Sequence, residues 1–256
     1  MCRHLAYLGP PATLRSVIIE PPHGLYTQSW APRRQRHGTV NADGFGIGWY
    51  ADGDPVPARY RQTGPIWGDE SFADVARVTR AGAILAVVRD ATAGTDPGLA
   101  AVTPFAAGSW LFSHNGVIEG WPGSVTGLAA TLPTDLLLEL DARVDSALAW
   151  ALVRYRLRLG LAPAEALTDT IGALRAAGVG GRFNFLLTDG RVIAATAAGD
   201  TLFYRHADRG VSVVVASEPG DDEPGWTEVP GGSVITATPH QVSVVELAAD
   251  ERIAIS

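Results

Sequence analysis

Met1-Cys2-Arg3-His4-Leu5-Ala6-Tyr7-Leu8 opens the chain, and the reading of its second residue decides the fold. Cys2 is the only cysteine in 256 residues, and removal of the initiator methionine would make it the amino terminus. A thiol there has a base beside it. An α-amino group titrates at roughly 7.7–8.0 and a free thiol at roughly 8.5, so near neutrality the amine can take the thiol proton directly or through one water. That is nucleophile activation with the chain end as base. The plainer alternative is a small apolar residue leading into the strand-like Leu5-Ala6-Tyr7-Leu8. Segments further along the chain decide between the two.

Composition narrows the partners. A chain of 256 residues with 46% hydrophobic and 18% charged residues has the balance of a globular protein with a large core. A net charge of −7 and a pI near 5.3 argue against nucleic acid, whose binders concentrate basic charge, and point to a small-molecule substrate. A single cysteine leaves no disulfide framework and no Cys-rich zinc site, so neither metal nor cofactor is expected. It also suits a reducing cytoplasm. Gly9-Pro10-Pro11 arrives too early for a signal peptide, and no apolar run approaches about 18 residues, so no membrane association is expected. Lysine is absent and all positive charge is arginine, as a GC-rich genome favours. Nothing here fixes the oligomeric state.

Outward from the amino terminus, Arg3 to Leu8 reads as a buried strand closed by Gly9-Pro10-Pro11, and Leu14 to Ile19 fits helix or strand. His23 to Asn41 is a long irregular stretch containing Trp30, Arg33, Arg34 and Arg36; loops of that length in compact domains usually carry function. The arginines either meet an anionic substrate or form a solvated basic loop. In Asn41-Ala42-Asp43-Gly44-Phe45-Gly46-Ile47-Gly48-Trp49-Tyr50 the spaced glycines lack the strand-turn-helix setting of a dinucleotide fingerprint. Within a strand they mark a close approach by another backbone or a ligand. A hairpin partner follows at Ala58 to Gln62, and a helix at Asp69 to Thr79.

Ala83 to Val88 is wholly apolar and ends in Arg89-Asp90-Ala91-Thr92. An arginine at the end of a buried strand needs an anion, either a structural acid such as Asp90 or a substrate carboxylate. Trp110-Leu111-Phe112 leads into Ser113-His114-Asn115-Gly116-Val117-Ile118-Glu119. Asn-Gly there is either a tight hairpin turn or a pair of donors, Asn115 Nδ2 and Gly116 N–H, aimed at an oxyanion. Helices follow at Thr134 to Leu140, Asp145 to Leu159 and Pro163 to Ala177, with Asp145 the natural N-cap of the second. The remainder is β: Arg182–Thr188, Val192–Thr196, Leu202–Tyr204, Val211–Ser217, Ser233–Ala237, Val242–Leu247 and Ile253–Ile255. Strands, helices, then strands again, with no linker or repeat, make an antiparallel α+β domain spanning 1–256.

Cys2 behind Met1, Arg89-Asp90-Ala91-Thr92 after a buried strand, His114-Asn115-Gly116-Val117-Ile118-Glu119, and Asp145-Ser146 opening a helix occur in the order seen in class II glutamine amidotransferase domains, which this chain resembles over its whole length. These are N-terminal-nucleophile (Ntn) hydrolases, and the resemblance implies an αββα sandwich, two antiparallel sheets between helical layers. Met1-Cys2-Arg3-His4-Leu5, the run from Gln28 to Tyr50, and Ala216-Ser217-Glu218-Pro219 look like the EgtC-type amidohydrolases of ergothioneine biosynthesis, which remove the γ-glutamyl group of γ-glutamyl-hercynylcysteine sulfoxide. Carried over, the resemblance implies Cys2 as nucleophile and Asn115 with Gly116 as oxyanion hole. It implies Arg89 on the glutamyl carboxylate and Asp145 on its ammonium, with Thr92 and His114 beside them. A trimethylated, anionic leaving group would be met by Trp30 and by Arg33, Arg34 and Arg36. The chain ends soon after its last strands, without room for a domain that would use ammonia, so free hydrolysis is expected. The alternatives are a glutaminase subunit feeding a separate synthase and a catalytically inactive binding module.

Overall fold

Arg3–Thr13 forms the first strand, β1, at the centre of a seven-stranded sheet, and every other element is placed relative to it. The computed structural model describes residues 2–91, 98–207 and 211–247. After β1 come α1 (Leu14–Ile18), α2 (Leu25–Gln28), β2 (Phe45–Trp49), β3 (Ala58–Gln62), α3 (Glu70–Val78) and β4 (Arg80–Val88). Then follow β5 (Phe105–Ala107), β6 (Trp110–Ile118), α4 (Thr126–Ala129), α5 (Thr134–Leu138), α6 (Asp145–Arg158) and α7 (Pro163–Ala176). The last strands are β7 (Gly181–Thr188), β8 (Ile193–Ala197), β9 (Phe203–His206), β10 (Val213–Ala216), β11 (Trp226–Glu228), β12 (Ser233–Ala237) and β13 (Val242–Glu246). Thr92, and the strand expected at Ile253–Ile255, lie outside the described residues.

Sheet A runs β11-β9-β10-β1-β4-β2-β3 and sheet B runs β13-β12-β8-β7-β6-β5, with antiparallel pairing throughout. Period-two alternation gives each central strand two buried faces. On β1, Ala6 and Leu8 join Leu111, Leu186 and Ile235 between the sheets, whereas Leu5 packs with Leu14, Ile18, Phe72 and Ala76 under α1 and α3. On the far side of sheet B, Phe112 stacks on Trp150 of α6 at 5.2 Å, and α7 adds Leu167, Ile171 and Leu174. The layers are helix, sheet, sheet, helix, the αββα sandwich expected from the sequence. Each large apolar side chain so buried contributes about 1.5–3 kcal/mol.

Two local expectations change and one open alternative is decided. Gly9-Pro10-Pro11 interrupts β1 without ending it: the register with β4 shifts between Leu8 and Ala12 and then resumes at Ala12↔Ala81. Prolines have no N–H for the ladder, so the chain bulges across them and rejoins. Asn115-Gly116 makes no turn, because β6 pairs with β7 continuously from Leu111↔Thr188 to Ile118↔Gly181. Asp145 is the first helical residue of α6 and Val144 is its N-cap. Two strands, β5 and β11, were not foreseen, each being only three residues long.

Candidate active site

The side chains that matter face each other between the sheets, and ladder register places them. Ala6, Leu85 and Gly48 lie in one row of sheet A, through Ala6↔Leu85 and Gly48↔Leu85. Gly48 lets this row meet sheet B at Leu111: a Cβ on it would fall 2.5 Å from Leu111 Cδ1. One step of two residues towards the amino terminus, His4 Nδ1 lies 2.7 Å from Ser113 Oγ. Cys2, two residues before His4, packs against the core between the sheets, and Asn115, two residues after Ser113, lies on the face of β6 that carries Leu111 into that core. Of the β2 glycines, Gly46 serves a backbone approach, as read from the sequence, since a Cβ there would lie 2.1 Å from the Thr103 carbonyl oxygen, whereas Gly48 makes room for a side chain.

Asn115 is fully buried, and neither its Oδ1 nor its Nδ2 has a hydrogen-bond partner among the described residues. A buried amide left without partners costs about 1–3 kcal/mol, and such groups collect at functional sites. Gly116 contributes its backbone. Phe183, opposite it in the ladder, donates its N–H to Ala198 O and accepts from Thr196 Oγ1, so Phe183 faces β8. Gly116 therefore turns its N–H away from β7. It points to the edge of β6 that β5 covers only from Trp110 to Phe112. The next N–H along that edge, from Ile118, is donated to Asp145 Oδ2 at 2.9 Å, and Ser146 N–H is donated to Asp145 Oδ1 at 2.7 Å. Asp145 is thus held by backbone at the open edge and leaves the helix end to Val144, a role the capping interpretation of its position did not capture. Gly116 itself is required: a Cβ there would sit 1.9 Å from the Arg182 carbonyl oxygen.

Arg89 follows Val88, which pairs with Arg3, so continuing the ladder sets Arg89 beside Cys2. It is 7% exposed; its N–H is donated to Gly44 O, and its Nη1 to Asp43 O at 3.3 Å. Asp43 also accepts Ala91 N–H through Oδ2 at 2.8 Å. Burial pushes the Cys2 thiol up; the positive chain terminus, the Asp90 N–H and the Arg89 guanidinium pull against it. Burial likewise depresses His4, to about 3, with the Arg3 charge and His114 adding to the effect, so His4 is neutral.

Not every candidate converges on Cys2. His114 lies on the opposite face of β6 from Asn115, its Nε2 donating to Arg182 O at 2.8 Å and its ring against Phe185 at 5.0 Å. Strand alternation puts neighbours 114 and 115 on opposite faces, so the structure does not bring His114, expected beside the glutamyl group, to the face that carries Asn115. Burial lowers its basicity against the pull of Asp145. In the long loop, Arg33 is paired with Asp222 at 2.7 Å, Arg34 lies 6.0 Å over the Phe203 ring, and Arg36 is exposed. Trp30 is 42% exposed and meets Tyr26 at 5.0 Å and Trp67 at 5.7 Å, both edge-on. Among the described residues no cluster of His, Cys, Asp and Glu is placed to hold a metal, and no helix is long and apolar enough to cross a membrane.

Sequence reasoning assigned no role to Glu218 and passed over Gln35 and Trp67. Glu218 is 1% exposed and accepts the N–H groups of Arg33 (3.1 Å) and Arg34 (2.5 Å). Its signal was available: an acid just past the apolar run Val213–Ala216 mirrors the arginine past Val88.

The sequence profile of the class II glutamine amidotransferases matches residues 24–207. The chain is 41% identical over 247 residues to the gamma-glutamyl-hercynylcysteine sulfoxide hydrolase of Mycolicibacterium smegmatis, covering 96% of this chain and 100% of the relative. It is 42% identical over 248 residues to the enzyme of that name from Mycobacterium tuberculosis, covering 96% and 97%. Among solved structures it is similar to a glutamine aminotransferase class-II domain protein from Silicibacter pomeroyi, with TM-score 0.70, 25% identity and coverage of 97% of this chain and 100% of that one. It also matches the glutamine phosphoribosylpyrophosphate amidotransferase of Bacillus subtilis, with TM-score 0.67 and 15% identity over 97% of this chain and 50% of that one, a likeness of fold alone. The profile match over residues 24–207 and the identity to these relatives over nearly the whole chain make it a member of the class II glutamine amidotransferase family.

Proposed function

We propose that this protein is a cysteine amidohydrolase that cleaves the γ-glutamyl amide of γ-glutamyl-hercynylcysteine sulfoxide, releasing glutamate and hercynylcysteine sulfoxide. The observation that carries the reading is the fully buried, unpartnered Asn115 amide on the strand facing Cys2. The full-length similarity to hydrolases of that name supports the substrate. The amine of processed Cys2 takes the thiol proton, and sulfur attacks the γ-carbonyl carbon. Asn115 Nδ2 and Gly116 N–H hold the resulting oxyanion. Its collapse breaks the C–N bond, and the α-ammonium of Cys2 protonates the leaving amine. Water, deprotonated by the same amine, then attacks the thioester, releasing glutamate and restoring the thiol. A free thiol nucleophile needs a reducing compartment, so we place the enzyme in the cytoplasm. The decisive experiment is turnover of γ-glutamyl-hercynylcysteine sulfoxide against free glutamine by protein whose intact mass shows Cys2 at the terminus. Equal rates on both would instead indicate a glutaminase.

The glutamyl group carries one anion and one cation beyond the scissile amide, and Arg89 and Asp145 each supply a counter-charge. Asp145→Asn removes the charge and leaves an acceptor for only one of the Ile118 and Ser146 N–H groups, so kcat/KM should fall by the equivalent of about 2–5 kcal/mol, with a smaller loss of stability of about 1–3 kcal/mol. Arg89→Lys should be impaired as well, because a point charge cannot reproduce the guanidinium fork. Thr92 lies in the same motif as Arg89 and is proposed to line the glutamyl pocket.

Beyond the scissile bond, a trimethylammonium cannot donate hydrogen bonds and is held best by aromatic faces. Trp30, with Trp67 beside it, is the proposed reader of that group. Arg34 and Arg36 are proposed to pair with the anionic groups of the leaving group, and Arg33 contributes despite its Asp222 contact. Trp30→Ala should raise KM for the trimethylated substrate about 3- to 30-fold and spare γ-glutamyl methylamide. Equal losses on both substrates, or a lowered Tm, would show that the ring supports the loop.

A further inference from the structure

Glu218 lies directly across the ladder from Arg3, since β10 pairs Leu5↔Ala216, and Ser217 N–H is donated to His4 O while His4 N–H is donated to Ser217 Oγ. The carboxylate is thus anchored beside the first residues of β1, facing the long loop and not the inter-sheet space. A carboxylate buried to 1% exposure is expensive to desolvate unless it is fully engaged. Its two oxygens accept successive backbone N–H groups, from Arg33 at 3.1 Å and Arg34 at 2.5 Å. Charge-assisted bonds of this kind are about twice as strong as neutral ones. Glu218 is also the foremost negative charge acting on buried Arg3.

The rest of the loop is fastened to the same end of the sheet. Arg3 Nε donates to Gln35 Oε1 at 3.2 Å, and Asn41 Nδ2 donates to the same oxygen at 2.9 Å. Gly38 lies against Asp90, where a Cβ would come 2.1 Å from Asp90 Oδ2. Residues 33–38 therefore bridge from Glu218, on the β10 side of the start of β1, to Asp90, on its β4 side.

We infer that Glu218 is a positioning residue that fixes this loop as the wall of the leaving-group side of the site, and so sets the preference for large over small γ-glutamyl amides. The inference rests on the proposed amidohydrolase reading. Glu218 touches no reacting atom, so its loss should act on selection and leave the chemical step alone. Glu218→Gln keeps one acceptor, turns an NH2 against the other loop N–H and so releases at least one anchor. Glu218→Asp retains the charge for Arg3 but withdraws the oxygens from the loop.

The test has two arms. Trypsin reports on the loop without any substrate, because Arg33, Arg34 and Arg36 lie in it. Both Glu218 variants, and Gln35→Ala from the loop side, should be nicked there at least about tenfold faster than wild type, and Glu218→Asp and Gln35→Ala, which leave Arg3 its counter-charge, should do so at similar Tm. Kinetics reports on selection: KM for γ-glutamyl-hercynylcysteine sulfoxide should rise about tenfold or more, while kcat and the kcat/KM for γ-glutamyl methylamide stay within about threefold. Unchanged nicking with normal turnover overturns the inference alone, and so does faster nicking with unchanged preference. Should Glu218→Gln fail to fold, Gln35→Ala decides by the same two readouts. A wild-type enzyme that hydrolyses no γ-glutamyl amide would bring down the proposed function, and the selection claim with it.

Discussion

Cys2→Ala should reduce γ-glutamyl amide hydrolysis to background, a loss of order 10⁴-fold or more, as when any member of a nucleophile-base unit is removed. The sharper form of this prediction keeps the thiol. Protein that retains Met1, or carries an amino-terminal tag, has an amide where the base should be, and its activity should also vanish. Burial is why the base matters: it holds the Cys2 thiol above its ordinary range, so little thiolate forms spontaneously at neutral pH. The amine must then take the proton during attack, and only its neutral form can do so. For processed enzyme, kcat/KM should accordingly rise with pH through roughly 7.7–8.0, the range of an α-amino group. Intact mass, activity and a pH profile on one preparation check all three points. Full activity with Met1 retained, or a flat profile between about pH 6 and 9, would end the mechanism.

How far the sequence carried this site depended on whether a residue's role lies in its own neighbourhood. Cys2 was legible because position and chemistry coincide, and Arg89 because a charge ending the apolar run Ala83–Val88 has to be answered. The glycines of β2 were legible as points of close approach, though not what they approach, since Leu111 and Thr103 come from strands far along the chain. Asn115-Gly116 was ambiguous by nature. The dipeptide has the same local preference whether it turns or runs on, and only pairing with β7 across Asn115↔Asn184 settles it. Asp145 drew a capping assignment because an acid opening a helix usually caps it; here the carboxylate is taken by Ile118 of β6, a contact no local rule contains. Glu218 escaped for the converse reason. Its partners are backbone N–H groups, which have no signature in sequence, and they lie 185 and 184 residues away.

Asn115→Leu should lower kcat about 10²- to 10³-fold, equivalent to roughly 2.7–4 kcal/mol of transition-state stabilisation, with little change in KM. The oxyanion exists only along the reaction path, so its donor is felt in kcat and scarcely in binding. Stability should move the other way. Asn115 is fully buried with both amide atoms unpartnered, on the face of β6 that also carries Leu111 into the inter-sheet core. Leucine has the same branching and number of side-chain heavy atoms, with bulkier methyl ends, removes a desolvated amide worth about 1–3 kcal/mol, and adds apolar contact. Tm should therefore hold or rise. A residue retained for packing cannot give that pair of results, because replacing it with a well-packed isostere would leave turnover intact. Thermal melts and single-turnover rates on Asn115→Leu make the comparison. Near-normal kcat would remove Asn115 from the oxyanion hole, and a Tm lowered by several degrees would mean the amide is bonded in solution and structural after all.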